Sequence, residues 1–285
     1  MLIRPVRDTE DDAEAVRRVL SAAFEHPEEE WTPERVARSH EKTRHVARSD
    51  PGGCRLAEDA SGRPVGAALS VIREGTWGLS LLVVRPETAS RGLGTALLSQ
   101  AVAYGRGCLR GLICCSRHPA AARAYRRAGF DLHPTMRMRG TVDPARLAAP
   151  DGPVVAGSAA HRDLMDSVDR RLRGGAHGVD HAFLLRHHRL LVADDLAGSG
   201  YCYLTAEGKV ELLAASSRRL AVRLLTAALL SVPEGTEAVV HDLTAEQQWA
   251  VDVGLAAGLE LTTAGYVCLR GMRPPAPYIP SGAFL

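Results

Sequence analysis

The chain has no run of about 18 uncharged apolar residues, the length a helix needs to cross a bilayer. A helical membrane span is excluded on that ground. Its start, MLIRPVRDTEDD, lacks the apolar core of a secretory signal, so the expected compartment is the cytoplasm. An excess of one charge is missing too. Lys and Arg total 35 against 33 Asp and Glu, a net charge of +2, which gives no electrostatic footprint for nucleic acid. The six cysteines (Cys54, Cys108, Cys114, Cys115, Cys202 and Cys268) form no C-x-x-C pair. Reduced, buried thiols of a cytosolic protein fit that pattern. No G-K-[ST] occurs, so there is no Walker loop. The third glycine of a dinucleotide fingerprint is also absent, its place being taken by Leu97.

What is present is enough chain for two domains: 285 residues, 46% of them apolar. Residues 83–104 organise the rest. The apolar run 79–84 reads as a buried strand, part of a longer strand 76–84, and Pro86 ends it because it has no N–H to donate. Arg91-Gly92-Leu93-Gly94-Thr95-Ala96 follows, and then a helix with Leu93, Leu97 and Ala101 on one stripe and Leu98 and Val102 beside it. Glycines at the mouth of a helix let a ligand approach the backbone closely. The unpaired N–H groups there carry partial positive charge and suit phosphate, and Arg91 adds a fixed cation. The residues alone also allow a tight strand-to-helix turn that binds nothing.

Arg91-x-x-Gly94-x-Ala96 resembles the Arg/Gln-x-x-Gly-x-Gly/Ala signature of the GCN5-related N-acetyltransferases (GNAT). A second stretch, His118-Pro-Ala-Ala121-Ala-Arg-Ala-Tyr125-Arg-Arg-Ala-Gly129-Phe130, is similar to the family's N-x-x-A-x-x-x-Y-x-x-x-G-F element, with His118 in place of the usual Asn. The resemblance covers about residues 1–142. It implies an α/β fold of mixed, mostly antiparallel sheets flanked by helices. It implies acetyl-CoA as cosubstrate, with Arg91, Gly92, Leu93, Gly94, Thr95 and Ala96 cradling the pyrophosphate. The backbone of Leu82, Val83 and Val84 would pair with the pantetheine arm, His118 and Ala121 would flank it, and Tyr125 would be the general acid. A phenol of pKa about 10 is suited to protonating a thiolate of pKa about 8.5. No metal is expected.

The order of elements supports a tandem arrangement. Residues 2–7 read as a strand, followed by a helix capped by Asp8 or Thr9 and bearing Ala15, Val16, Val19, Leu20 and Ala23. Thr32-Pro33 opens a short second helix to about His40. Strands are expected at 54–58, 64–72, 111–116, 130–133 and 136–142, with a helix through Ala128 between 111–116 and 130–133. Residues 143–157, with three prolines, read as a linker. Residues 158–271 resemble a faded repeat of the same domain: strands at 200–205 and 210–215, a helix at 220–230, a strand at 238–241, a helix at 244–257 and a strand region at 258–269. Gly258-Leu259-Glu260-Leu261 matches Gly129-Phe130-Asp131-Leu132, which aligns Gly254 with Tyr125 and sets Ser217-Arg218-Arg219 where the glycine turn should be.

A general base is not identified. Strand 76–84 has no carboxylate, and Glu74, His40, His45, Glu25 and Glu28–Glu30 read as surface residues. His177 and His181 with Asp180 have metal-ligand spacing if helical, but Gly174, Gly175 and Gly178 argue against a helix there, so a structured loop in the interdomain cleft is expected. The tail, residues 272–285, is stiffened by prolines and carries Tyr278, Ile279, Phe284 and Leu285, so it should pack against the body. Two placements stay open: the outside of the interdomain seam, or the acceptor cleft, where it would supply the Leu285 carboxylate as a base. The expected activity is N-acetylation of a primary amine on a small molecule or peptide, by a monomer or homodimer. The alternative is a silent acyl-CoA-binding regulatory or structural module.

Overall fold

A computed structural model describes every residue except His26, Ser90 and Arg91, and the side chain of Glu28. The chain forms two compact units: residues 1–72 with 77–109, and residues 73–76 with 110–285. No helix among the described residues is long and apolar enough to cross a membrane.

The first unit contains β1 (Leu2–Pro5), α1 (Glu10–Ala23), α2 (Pro33–Ser49), β2 (Cys54–Glu58), β3 (Pro64–Arg73), β4 (Thr76–Val84) and α3 (Leu93–Tyr104). Its strands lie in the order β1-β2-β3-β4. Thr9 caps α1 by accepting from the Asp12 N–H, and Glu10, Asp11 and Asp12 complement the helix dipole in the first turn. Thr32 and Pro33 open α2 as the sequence predicts. The helix does not stop near His40, however, but runs to Ser49. Thr43, Val46 and Ala47 keep its buried face going, and the first breaker is Pro51. Leu93, Leu97, Leu98 and Ala101 are the buried face of α3. That face lies on β3 at Gly66, where an added Cβ would stand 2.9 Å from Leu97 and 3.1 Å from Leu93. A missing side chain on the sheet thus sets how closely α3 is held.

The second unit contains β5 (Arg110–Cys115), α4 (Pro119–Arg127), β6 (Asp131–Thr141), β7 (Val155–Ala156), α5 (Arg162–Arg173), α6 (Asp180–His187), β8 (Arg189–Asp195), β9 (Gly198–Leu204), β10 (Val210–Ala215), α7 (Arg218–Leu230), β11 (Glu237–Leu243), α8 (Gln248–Ala256), β12 (Glu260–Arg270) and β13 (Tyr278–Ile279). One set of strands runs β5-β12-β6-β11 and the other β13-β10-β9-β8-β7. The first order interleaves the two halves of the sequence. β12 lies between β5 and β6, and β6 lies between β12 and β11, all antiparallel. Glu260 faces Arg139 at one end of the β6–β12 ladder and Leu269 faces Asp131 at the other. Each series of elements thus places its last long strand against the other's, as two copies would around a local two-fold.

Two expectations change here. The strands foreseen at 130–133 and 136–142 are a single strand, β6. Pro134 does not break it because β12 carries the irregularity, a register shift between Thr263 and Tyr266 opposite Pro134 and Met136. The Gly265 N–H is taken up by Thr135 Oγ1 at 3.1 Å. The glycine-rich stretch after residue 171 holds two helix ends rather than a loop alone. Gly174, at φ +78°, terminates α5, and α6 begins at Asp180.

Candidate active site

The N-terminus of α3 holds the two glycines of the motif. Gly92 is its N-cap at φ +81°, a left-handed conformation that favours glycine, and it offers no side chain to the first-turn N–H groups. At Gly94 an added Cβ would meet only Val84 Cγ2 at 3.7 Å, an ordinary contact, so the protein itself does not require glycine there. A close-lying ligand would. Thr95 and Ala96 are exposed, Leu93 is buried, and Val83 is buried between half-buried Leu82 and Val84 at the end of β4. Arg91 lies outside the described residues. In the same unit, α1 and Arg85 border an open cavity of about 640 Å³, lined by Glu14, Arg17, Arg18, Ser21 and Glu25 among others. Arg17 first, then His40 and Arg18, hold Glu14 as a carboxylate at about 2 despite its burial.

In the second unit, Tyr125 is the buried residue of α4, 4% exposed. Burial, then the neighbouring Cys115 and Cys268 thiols, push its phenol pKa well above 10, so it stays protonated at neutral pH. Cys115 and Cys268 are 3.6 Å apart, sulfur to sulfur. His118 is the exposed N-cap of α4 and makes no capping hydrogen bond, while Ala121 is half-buried. Two of the residues weighed as bases, His40 and Glu74, are engaged elsewhere. His40 has one ring nitrogen 3.0 Å from Glu10 and the other 2.9 Å from Glu14. Glu74 takes two hydrogen bonds from Arg170, at 2.8 and 2.7 Å, and one from the Ala176 N–H at 3.0 Å. These partners, Arg170 first, hold it at about 2, too acidic to take an ammonium proton.

The corresponding positions of the second series are closed. Ser217 caps α7 by accepting from the Leu220 N–H at 3.4 Å. Gly254, aligned with Tyr125, sits on α8 where a Cβ would stand 2.4 Å from Met138 Sδ. Met138, from β6, is fully buried, so the space a tyrosine would need is filled by the first series' own strand.

The tail packs into the second unit. Tyr278 and Ile279 form β13 against Ala214 and Leu213 of β10. Phe284 and Leu285 are buried. Tyr278 Oη donates to a terminal carboxylate oxygen of Leu285 at 2.8 Å, and His177 Nε2 faces the same oxygen at 2.8 Å. His177 Nδ1 lies 2.7 Å from Asp169 Oδ2, and Tyr201 Oη donates to Asp169 Oδ1. Burial opposes the charged form of Asp169, but His177 and His181 outweigh it and the carboxyl is held well below its usual range. Burial and the Arg173 charge draw His177 below its ordinary value, against the pull of Asp169. Spacing gave no sign of Asp169, because it comes from a different helix. Its only trace is its place three residues after Asp166 on one face of α5.

Comparison with known proteins finds similarity to acetyltransferases. Residues 14–130 match the model of the acetyltransferase (GNAT) family. A mycothiol acetyltransferase of Clavibacter michiganensis subsp. michiganensis is 30% identical over 137 residues, 47% of this chain and 44% of that protein. The match thus spans less than half the length of that relative. A solved structure from Pyrococcus horikoshii, assigned as an acetyltransferase, superposes with a TM-score of 0.78 over 99% of this chain and 94% of its own, at 19% identity. A tandem GNAT protein from the clavulanic acid biosynthesis pathway superposes with a TM-score of 0.61 over 95% of this chain and 99% of its own, at 14% identity. Residues 14–130 are thus similar to the acetyltransferase (GNAT) family, and over its length the chain has the fold of a tandem GNAT protein.

Proposed function

We propose that this protein is an N-acetyltransferase that moves the acetyl group of acetyl-CoA directly to a primary amine of a small molecule or peptide. The observation that carries the reading is the N-terminus of α3, where Gly92 leaves the first-turn N–H groups without a side-chain cap and Gly94 keeps the approach clear. Those groups, through Ala96, would hold the pyrophosphate, and Arg91 joins them on the strength of the motif. The backbone of Leu82, Val83 and Val84 would hold the pantetheine arm, flanked by His118 and Ala121, and one N–H there would face the oxyanion. The neutral amine attacks the thioester carbonyl, the C–S bond breaks, Tyr125 gives its phenolic proton to the departing thiolate, and the proton shed by the acylated nitrogen returns through water to the phenolate. Binding both reactants in one geometry supplies much of the rate.

On this reading residues 1–142 form the active domain, 143–157 a linker, 158–271 a copy without a cradle, and 272–285 a tail. The test pairs a thiol-release assay over an amine panel with CoA titration of Gly94→Asp. The expected results are CoA release with at least one amine, and an affinity for CoA lowered more than about tenfold at an unchanged melting temperature. Hydrogen bonds to a charged group are worth ~1.5–3 kcal/mol, which sets that factor. Retained affinity in Gly94→Asp refutes the cradle. CoA binding without release for any amine favours the silent binding module.

A further inference from the structure

Asp169 of α5, His177 just before α6 and His181 in its first turn are used by no step of the proposed reaction. All three are buried, and one carboxylate oxygen and two ring nitrogens lie within 4.8 Å of one another. Two features of this group bear on what it holds. His177 stands between two carboxylate oxygens, Asp169 Oδ2 at 2.7 Å from Nδ1 and a terminal oxygen of Leu285 at 2.8 Å from Nε2. A neutral imidazole has one N–H and can satisfy only one of them. A second proton on His177 would satisfy both as well, so the metal content of the chain decides between a proton and an ion. The second feature is His181 Nε2, buried and with no hydrogen-bond partner. It is aimed at the same oxygen, 3.3 Å from Asp169 Oδ2, and stands 3.5 Å from Asp166 Oδ1. Leaving such a nitrogen unsatisfied costs about 1–3 kcal/mol.

We propose that Asp169, His177 and His181 bind one divalent transition-metal ion of the zinc type, through Oδ2, Nδ1 and Nε2 respectively. One ion meets both features. It takes the lone pairs of His177 Nδ1 and His181 Nε2, leaving His177 Nε2–H to donate to the terminal oxygen of Leu285. Histidines that bind metals regularly donate their other ring N–H in this way, to a carbonyl or carboxylate that fixes the tautomer. His181 has the matching outer partner, with Nδ1 3.1 Å from Tyr203 Oη. The carboxylate is oriented from behind by the Tyr201 hydroxyl and by the His177 N–H at 3.1 Å. A set of two imidazoles and one carboxylate is borderline in softness, which suits zinc over the oxygen-seeking magnesium and calcium. Tyr201 Oη, 3.5 Å from His177 Nδ1, flanks the remaining position. The charges of Asp169 and nearby Asp166 offset those of the ion. Such a site would be structural: it ties α5 to α6 and, through His177, fastens the tail.

The test uses the untagged full chain. It is produced in zinc-supplemented medium, dialysed against metal-free buffer and analysed for metal by mass spectrometry, both as purified and after refolding with excess zinc. About one zinc per chain is expected, the content of a single structural site. In Asp169→Asn and His181→Ala the affinity should fall more than about tenfold, the least that loss of even an outer partner costs. Chelation should lower the melting temperature of the unaltered chain, and zinc should restore it. A folded chain that holds no metal above the buffer blank in either preparation overturns the proposal and leaves a proton between Asp169 and His177. The unaltered chain decides this alone, so a variant that fails to fold does not blunt the test. Nothing in it depends on acetyl transfer, so its failure would leave the catalytic reading where it stands.

Discussion

The helix starts of α3 and α7 occupy equivalent places in the two series, and they differ in one way that governs the rest. α3 begins at Gly92, left-handed and without a capping side chain. α7 begins at Ser217, which caps its own helix. A helix N-terminus has donors that must find acceptors. A serine answers the need from within the chain, whereas a glycine leaves it for a ligand. The same contrast recurs at the next helix. α4 carries Tyr125, whose burial keeps the phenol protonated. α8 carries Gly254, because Met138 fills the space beside it. On the proposed reading the second series has not merely lost residues. Its positions have been put to structural use, by a cap in one place and by packing in the other.

Changing one side of each pair breaks the comparison, and the effects should differ in size. Tyr125→Phe should be the largest. Removing a positioned acid should lower turnover by about a hundred- to ten-thousand-fold with CoA affinity kept. Because burial raises that phenol's pKa, the unaltered enzyme should show no loss of turnover from Tyr125 ionisation up to about pH 10. Unchanged turnover in Tyr125→Phe would make the residue a packing element. Gly254→Tyr puts the missing ring into the second series. It should cost at least about 1–3 kcal/mol through overpacking against Met138, read as a lowered denaturation midpoint, and create no second activity. Ser217→Ala should be the smallest, about 0.5–1 kcal/mol for a lost cap whose hydrogen bond is long. A Ser217→Ala chain of unaltered stability would mean that the cap does not hold α7.

Much of this contrast was legible in the sequence, because it is local. The apolar stripe of α3, the two glycines ahead of it and the Pro119-to-Tyr125 helix are each fixed by neighbours within a few residues. Gly254 and Ser217 could be named as departures for the same reason. What the sequence withheld is non-local. Nothing in the periodicity of residues 260–270 says that β12 will lie between β5 and β6, since strand pairing is decided by which edge is free. The continuity of β6 through Pro134 depends on a bulge in that distant partner. Asp169 was missed on the same grounds, because its neighbours His177 and His181 meet it only after Gly174 has turned the chain. The reach of α2 was underestimated for a different reason: its mean polarity masked Thr43, Val46 and Ala47.

The central claim is that the chain has one CoA site, in the first series. Isothermal titration of the full chain with CoA tests it most directly. The account predicts one CoA bound per chain, with binding weakened in Gly94→Asp and unaffected in Ser217→Ala. Two CoA molecules per chain, or a single site that Gly94→Asp leaves intact, would contradict it.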